Sequence, residues 1–230
     1  MNRLLEVCLV ALTLVASVGA ADHSAAQTLQ KGISVAMATT TNATPMPEAD
    51  DENAWIVTVV RDGALYFGTD RVTAAGLEEA MKSRPRNRDQ KLYIKADARA
   101  PWADVERVVV AGRVVLFEAP VLLTSQPESP APGTIVPPKG LEVLVGRPPG
   151  GTVATVVQLN SGPERPMLKL NNDPISWSAL QGTLTQHFQK GDEKVVLLKA
   201  DGQLPFADVV RAIDACRATG AKVVVATPER

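Results

Sequence analysis

The chain has 230 residues, 45% of them apolar and 21% charged, and its 24 Lys+Arg against 25 Asp+Glu leave a net charge of −1. That is a globular composition for one large or two smaller domains, without a bulk electrostatic drive toward nucleic acid or anionic lipid. Two cysteines exclude a disulfide scaffold, and two histidines leave no zinc constellation.

Residues 1–20 place Arg3 ahead of an apolar run from Leu9 to Val18, and Val18, Gly19 and Ala20 ahead of a polar flank. This is the layout of a secretory signal peptide. The alternative is an uncleaved anchor over Leu4–Ala21, which at 18 residues and with Glu6 inside it stands at the short limit for a bilayer-spanning helix. Residues 1–21 are therefore read as a signal peptide or a membrane anchor. Once they are removed, Cys216 is the one remaining thiol; it shares a helical pattern with Ala212, Ile213 and Ala215, which reads as a buried, inert position.

Trp55–Val60 is a β-branched run that predicts a strand, ended by a turn at Arg61, Asp62 and Gly63, with Ala64–Gly68 returning as its hairpin partner. Thr73 is expected to cap a helix through about Ser83, with Leu77, Ala80 and Met81 forming its apolar stripe. A charged loop over 84–89 leads to a strand, Lys91–Ala96, in which Leu92 and Ile94 point one way. Pro101 opens a second helix, to about Arg113, where its missing N–H costs nothing, and Ala119–Thr124 is the last strand of this half. The second half follows suit. It has strands near Thr152–Leu159 and Met167–Leu170, a helix Ser176–Gln189, a strand Lys194–Lys199, a helix Pro205–Thr219 and a strand Ala221–Ala226.

The two halves are copies. Lys95–Arg107 (KADARAPWADVER) matches Lys199–Arg211 (KADGQLPFADVVR) at an offset of 104, with eight of thirteen positions identical. Lys31–Val35 (KGISV) pairs with Lys139–Val143 (KGLEV) at an offset of 108. A period near 100 residues means a duplicated domain rather than a solenoid. The organisation is a first domain over 29–126, a proline-rich linker over 127–138 and a second domain over 139–229; a further Pro/Gly cluster lies at 147–151. The fold class is α+β, two tandem two-layer domains, each a small mixed sheet with two helices on one face.

Asp97 and Asp201 stand between a strand and a helix, where a carboxylate caps a turn or complements a helix N-terminus. A proton-transfer role would need a titratable partner that neither repeat supplies. Asp104 and Asp208, just after Pro101 and Pro205, fall in the first helical turn and complement the helix dipole. Trp102 and Phe206 share a helical face with Val105, Val108 and Val109, or with Val209 and Ile213, and are expected to pack on the sheet; the alternative is an aromatic lining a recognition groove. Lys31, Ile33 and Val35, with Lys139, Leu141 and Val143, form short edge-type strands and are partner-binding candidates, by strand exchange or by accepting a partner's strand. His23 and His187 lack a ligand-spaced partner, Gly150 and Gly151 lack the sequel of a phosphate loop, and no nucleophile–base set can be assembled. No catalytic, metal-binding or cofactor-binding role is expected.

Three stretches carry a family resemblance: Lys91–Asp97 (KLYIKAD) leading into Pro101–Val105, Ala215–Thr227 as helix, turn and closing strand, and Val57–Gly63 (VTVVRDG) as first strand and turn. In these, and in their order, the repeat unit resembles the ExbD/TolR family of inner-membrane-anchored periplasmic proteins. The resemblance implies a small sheet bearing two helices that dimerises and contacts protein partners or, in the TolR branch, peptidoglycan. It also implies an ExbB/TolQ/MotA-like multi-span membrane partner and a role in proton-driven biopolymer transport. The family carries a proton-responsive Asp in its transmembrane helix, and residues 4–21 contain no Asp. The implied reading is an exported, non-enzymatic periplasmic binding or scaffold component, in which duplication supplies an internal pseudo-dimer where relatives form a homo-dimer. The alternative is a single-pass, inner-membrane-anchored subunit of the proton-driven complex itself.

Overall fold

The computed structural model describes residues 27–28, 31–127, 131, 134–146, 155–189 and 193–227. The N-terminal signal or anchor segment, parts of the proline-rich linker and the Pro/Gly cluster at 147–151 lie outside the described residues.

A short pair, β1 (Gln27–Thr28) with β8 (Ile135–Val136), runs parallel. The first unit begins with β2 (Thr44–Pro45) and a single 3-10 turn, Pro47–Asp50. An antiparallel meander follows, β3 (Trp55–Val59), β4 (Leu65–Phe67) and β5 (Asp70–Val72). Next come α1 (Leu77–Ser83), β6 (Leu92–Ala96), α2 (Trp102–Val114) and β7 (Val121–Thr124), with β6 parallel to both β3 and β7. After β9 (Lys139–Glu142) and β10 (Leu144–Val145), the second unit repeats the order. It has a meander β11 (Thr155–Asn160), β12 (Met167–Leu170) and β13 (Asp173–Ile175), then α3 (Trp177–Phe188), β14 (Val195–Ala200), α4 (Phe206–Arg217) and β15 (Lys222–Val225). The sheet orders are β2-β9-β7-β6-β3-β4-β5 and β10-β15-β14-β11-β12-β13. This is the expected α+β class, two sheets each with its own pair of helices.

The helices cover one face of each sheet. Trp55, Val57, Val59, Leu92, Ile94 and Leu122 meet Leu77, Met81, Val105, Val108 and Val109, and the same core continues through Val157, Leu159, Val196, Leu198, Val209 and Ile213 of the second unit. On β11 the burial alternates, with Thr155, Val157 and Leu159 inside, as a half-covered sheet requires. On β3 and β6 every residue is buried, because the chain ahead of β3 covers the outer face of the first sheet. There Met46 and Ala49 pack on Ile56, Tyr93, Val121 and Leu123.

Three local differences from the sequence-based expectation have physical causes. α1 begins at Leu77, not Thr73, because the Thr73 hydroxyl and carbonyl both accept from the Gly76 N–H, closing a separate turn first. The third meander strands, β5 and β13, are short and polar, and β13 carries Pro174 at the sheet edge, where a missing donor is tolerated. Lys31–Val35 forms no strand; pairing in this stretch starts with isolated bridges, Met37 to Asp97 and Thr39 to Ser125.

Candidate functional site

The residues singled out by the repeat meet at the seam between the two units. Pro101 and Pro205 each precede a helix with an extended backbone, φ near −60° and ψ near +140°, and the two form an antiparallel bridge with each other. Around them the hydrogen bonds are reciprocal. Trp102 N–H donates to Leu204 O and Phe206 N–H to Ala100 O, both at 2.8 Å. Ala103 N–H donates to Gly202 O and Ala207 N–H to Ala98 O, both at 2.9 Å. Shifting either partner of each pair by the 104-residue offset yields the other bond, which is the self-complementary pattern of a two-fold interface. The rings of Trp102 and Phe206, both fully buried, stack across this axis with centroids 6.4 Å apart. They belong to the core, as the helical pattern implied, and each also packs against the other.

Further contacts fasten the units asymmetrically. The Asp214 carboxylate accepts from Thr41 N (3.0 Å), Thr41 Oγ1 (3.0 Å) and Asn42 N (2.8 Å). No motif flags Asp214, which sits on the polar side of a helical repeat. The stretch 139–145 spans both sheets: Leu141 pairs with Leu122 as β9 runs antiparallel to β7, and Leu144 pairs with Val224 as β10 runs parallel to β15. Lys139, Leu141 and Val143 thus lie in or beside strands already paired within the chain, with Leu141 and Val143 buried. Lys31, Ile33 and Val35 are half-exposed.

The motif carboxylates hold turns. Asp97, its side chain 7% exposed, accepts from Arg99 N (3.0 Å), Arg99 Nε (2.9 Å) and Arg99 Nη2 (3.0 Å). Chiefly through the Arg99 side chain, its carboxyl is held down at about 2. Asp201 does the same at the equivalent turn with different partners, Gln203 N (3.0 Å) and Ser161 Oγ (2.7 Å), and its pKa is lowered by them in that order. Asp104 pairs with Arg107 at 2.7 Å and lies against Gly63, where a Cβ would collide with its carboxylate and where the φ of +80° also favours glycine. The Asp208 carboxyl is pushed up by burial, with Arg211 opposing.

An open cleft of about 600 Å³ at the start of β3 and β6 is lined by Glu48, Asp51, Glu52 and Asp89 beside Tyr93. Burial, then Glu48 and other carboxylates, pushes the Tyr93 hydroxyl up to about 12. Among the described residues no group of three His, Cys, Asp or Glu side chains is arranged to hold a metal ion, and no helix is long and apolar enough to cross a membrane.

The chain is thus a twice-built α+β unit joined to its copy through a reciprocal seam, and the carboxylates Asp97 and Asp201, repeated in both copies, hold turns. The family model for the biopolymer transport protein ExbD/TolR matches the chain twice, over residues 7–127 and 114–229. The chain therefore belongs to the ExbD/TolR family, a non-enzymatic, envelope-associated family that energises biopolymer transport together with ExbB/TolQ-type protein partners. The two matches start 107 residues apart, in keeping with the offsets of the internal repeat. No curated protein matches the chain.

Proposed function

We propose that the chain is a periplasmic binding or scaffold component of a biopolymer transport system, and that it carries within one polypeptide a two-fold pair of ExbD/TolR-like domains. The observation that supports this is the reciprocal hydrogen bonding of Trp102 with Leu204 and of Phe206 with Ala100, which gives a single chain the symmetry that homo-oligomers obtain from two copies. In this reading the paired units present a rigid platform to a protein partner, and the linker over 127–138 sets the spacing of the copies. A contact with peptidoglycan belongs to the same proposal as a second ligand of the platform.

A second reading has its own support. The first family match reaches back to residue 7, inside the apolar segment, which favours a chain anchored by Leu4–Ala21 in a complex with a multi-span partner. Isolating the protein from its native envelope, with its N-terminal residue and co-purifying proteins identified, tests both. A start near Ala21 supports the periplasmic scaffold, whereas an intact Met1 or Asn2 in the membrane fraction beside a multi-span protein supports the anchored subunit. Recovery from the cytoplasm, without an envelope partner, contradicts both.

A further inference from the structure

The two Lys-Gly motifs that head the repeats converge on one spot. Lys31 and Lys139, 108 positions apart in the sequence, line a cavity of about 10 Å³ on the outer face of the first sheet, together with Lys95 and Thr124. Its remaining walls are apolar, Met37, Ala49, Leu123 and Pro138, and no carboxylate lines it. Lys95 is 1% exposed, yet among the described residues its ammonium makes a single hydrogen bond, to Lys31 O at 3.1 Å, where three donors are available. Beside it on β3, in register with it, Thr58 keeps a buried hydroxyl that has no hydrogen-bond partner among the described residues. Lys139 Nζ donates to the neutral Gln126 Oε1 at 3.4 Å.

A buried ammonium without a counter-charge is costly, and burial accordingly pulls the Lys95 pKa below its ordinary value. Three lysines line one small cavity without an acidic partner among the lining residues, and the buried Lys95 ammonium at its wall lacks a counter-charge, which is the complement of an anion. The cavity admits one atom of about water size, and its other two lysines are half-exposed. We propose that this cavity binds a small oxyanion, a carboxylate or a phosphate. One oxygen sits on the Lys95 ammonium, and the remainder of the ligand stands at the mouth between Lys31 and Lys139. The site belongs to the first unit alone, because Lys199, the repeat equivalent of Lys95, is exposed. Its occupant would tie together the heads of both repeats, since Lys31 and Lys139 each open one.

The test is a titration of the full chain, carrying ¹³Cε-labelled lysine, with sodium phosphate or sodium acetate exchanged against sodium chloride at constant ionic strength. The Lys95 Cε resonance is expected to shift along a saturating curve. The Lys31→Gln/Lys139→Gln variant, altered only at half-exposed side chains, is expected to bind about tenfold more weakly or worse, the size of one lost charge-assisted hydrogen bond. Saturation by acetate identifies a carboxylate ligand, and saturation by phosphate alone identifies a phosphate ester. A shift that rises without saturating for both anions, or an affinity unchanged in the double variant, overturns the proposal.

Discussion

Trp102 and Phe206 lie plane to plane across the seam, 2° from parallel and 6.4 Å between centroids. They occupy equivalent positions of the two repeats, so one position of the repeat unit supplies both halves of one contact. Such a pair contributes beyond the area it buries.

Replacing either ring therefore removes a core side chain and, with it, the cross-seam contact of the other ring. Trp102→Ala is expected to lower the unfolding free energy by about 3–5 kcal/mol, and the Trp102→Ala/Phe206→Ala cycle to show a coupling of about 0.5–1.5 kcal/mol. Urea denaturation of the four proteins in the cycle measures it. Additive effects would mean that the rings serve separate cores.

Asp97 makes the stability depend on acid. Its folded pKa of about 2 lies below the 3.8 of a free carboxyl, so its contribution is fully present above about pH 4 and is lost as pH falls through about 2. Asp97→Asn, which removes the charge that receives Arg99, is expected to cost about 1–3 kcal/mol at neutral pH. Melts between pH 7 and pH 2 should show the gap between wild type and variant closing toward the acid end.

Leu116 stands where the second repeat has Gly220. Both adopt a left-handed backbone just after a helix, with φ of +67° and +76°, but Leu116 bears a Cβ there and is 77% exposed. Since little burial is lost, Leu116→Gly relieves the left-handed strain and is expected to stabilise by about 0.5–1 kcal/mol, net of the added freedom of the unfolded chain. A thermal melt decides the sign.

Cys216 is buried, and burial pushes its thiol up to about 12. It should resist a thiol-specific reagent in the folded protein at pH 8 and react fully in denaturant. Rapid labelling of the native chain would place the thiol at the surface instead.

The periodic parts of this fold were legible in the sequence and the long-range pairings were not. α2, α4 and the strands before them follow from β-branched runs, proline at the helix entry and valine spacing, all local signals. The equivalence of Trp102 and Phe206 follows from the repeat. Their contact with each other does not, because periodicity assigns a face to a residue and says nothing of what lies opposite. Lys139–Glu142 reads as the head of the second repeat, yet Leu141 pairs with Leu122 of the first; a four-residue strand carries no label for its partner sheet. The alternation in β6 puts Lys95 on the face opposite Leu92 and Ile94 without showing what covers it, and there the 3-10 turn at Pro47–Asp50 and the Met46 and Ala49 side chains do. Such an irregular cover has no period to detect.

The central claim is that one chain makes its own two-fold pair. Light scattering of the full chain, corrected for bound detergent and taken over a wide range of concentration, tests it directly. The account predicts the mass of a single chain, 24.4 kDa when unprocessed, at every concentration. An obligate dimer, in which Trp102 of one chain meets Phe206 of another or the two repeats do not touch, would contradict it.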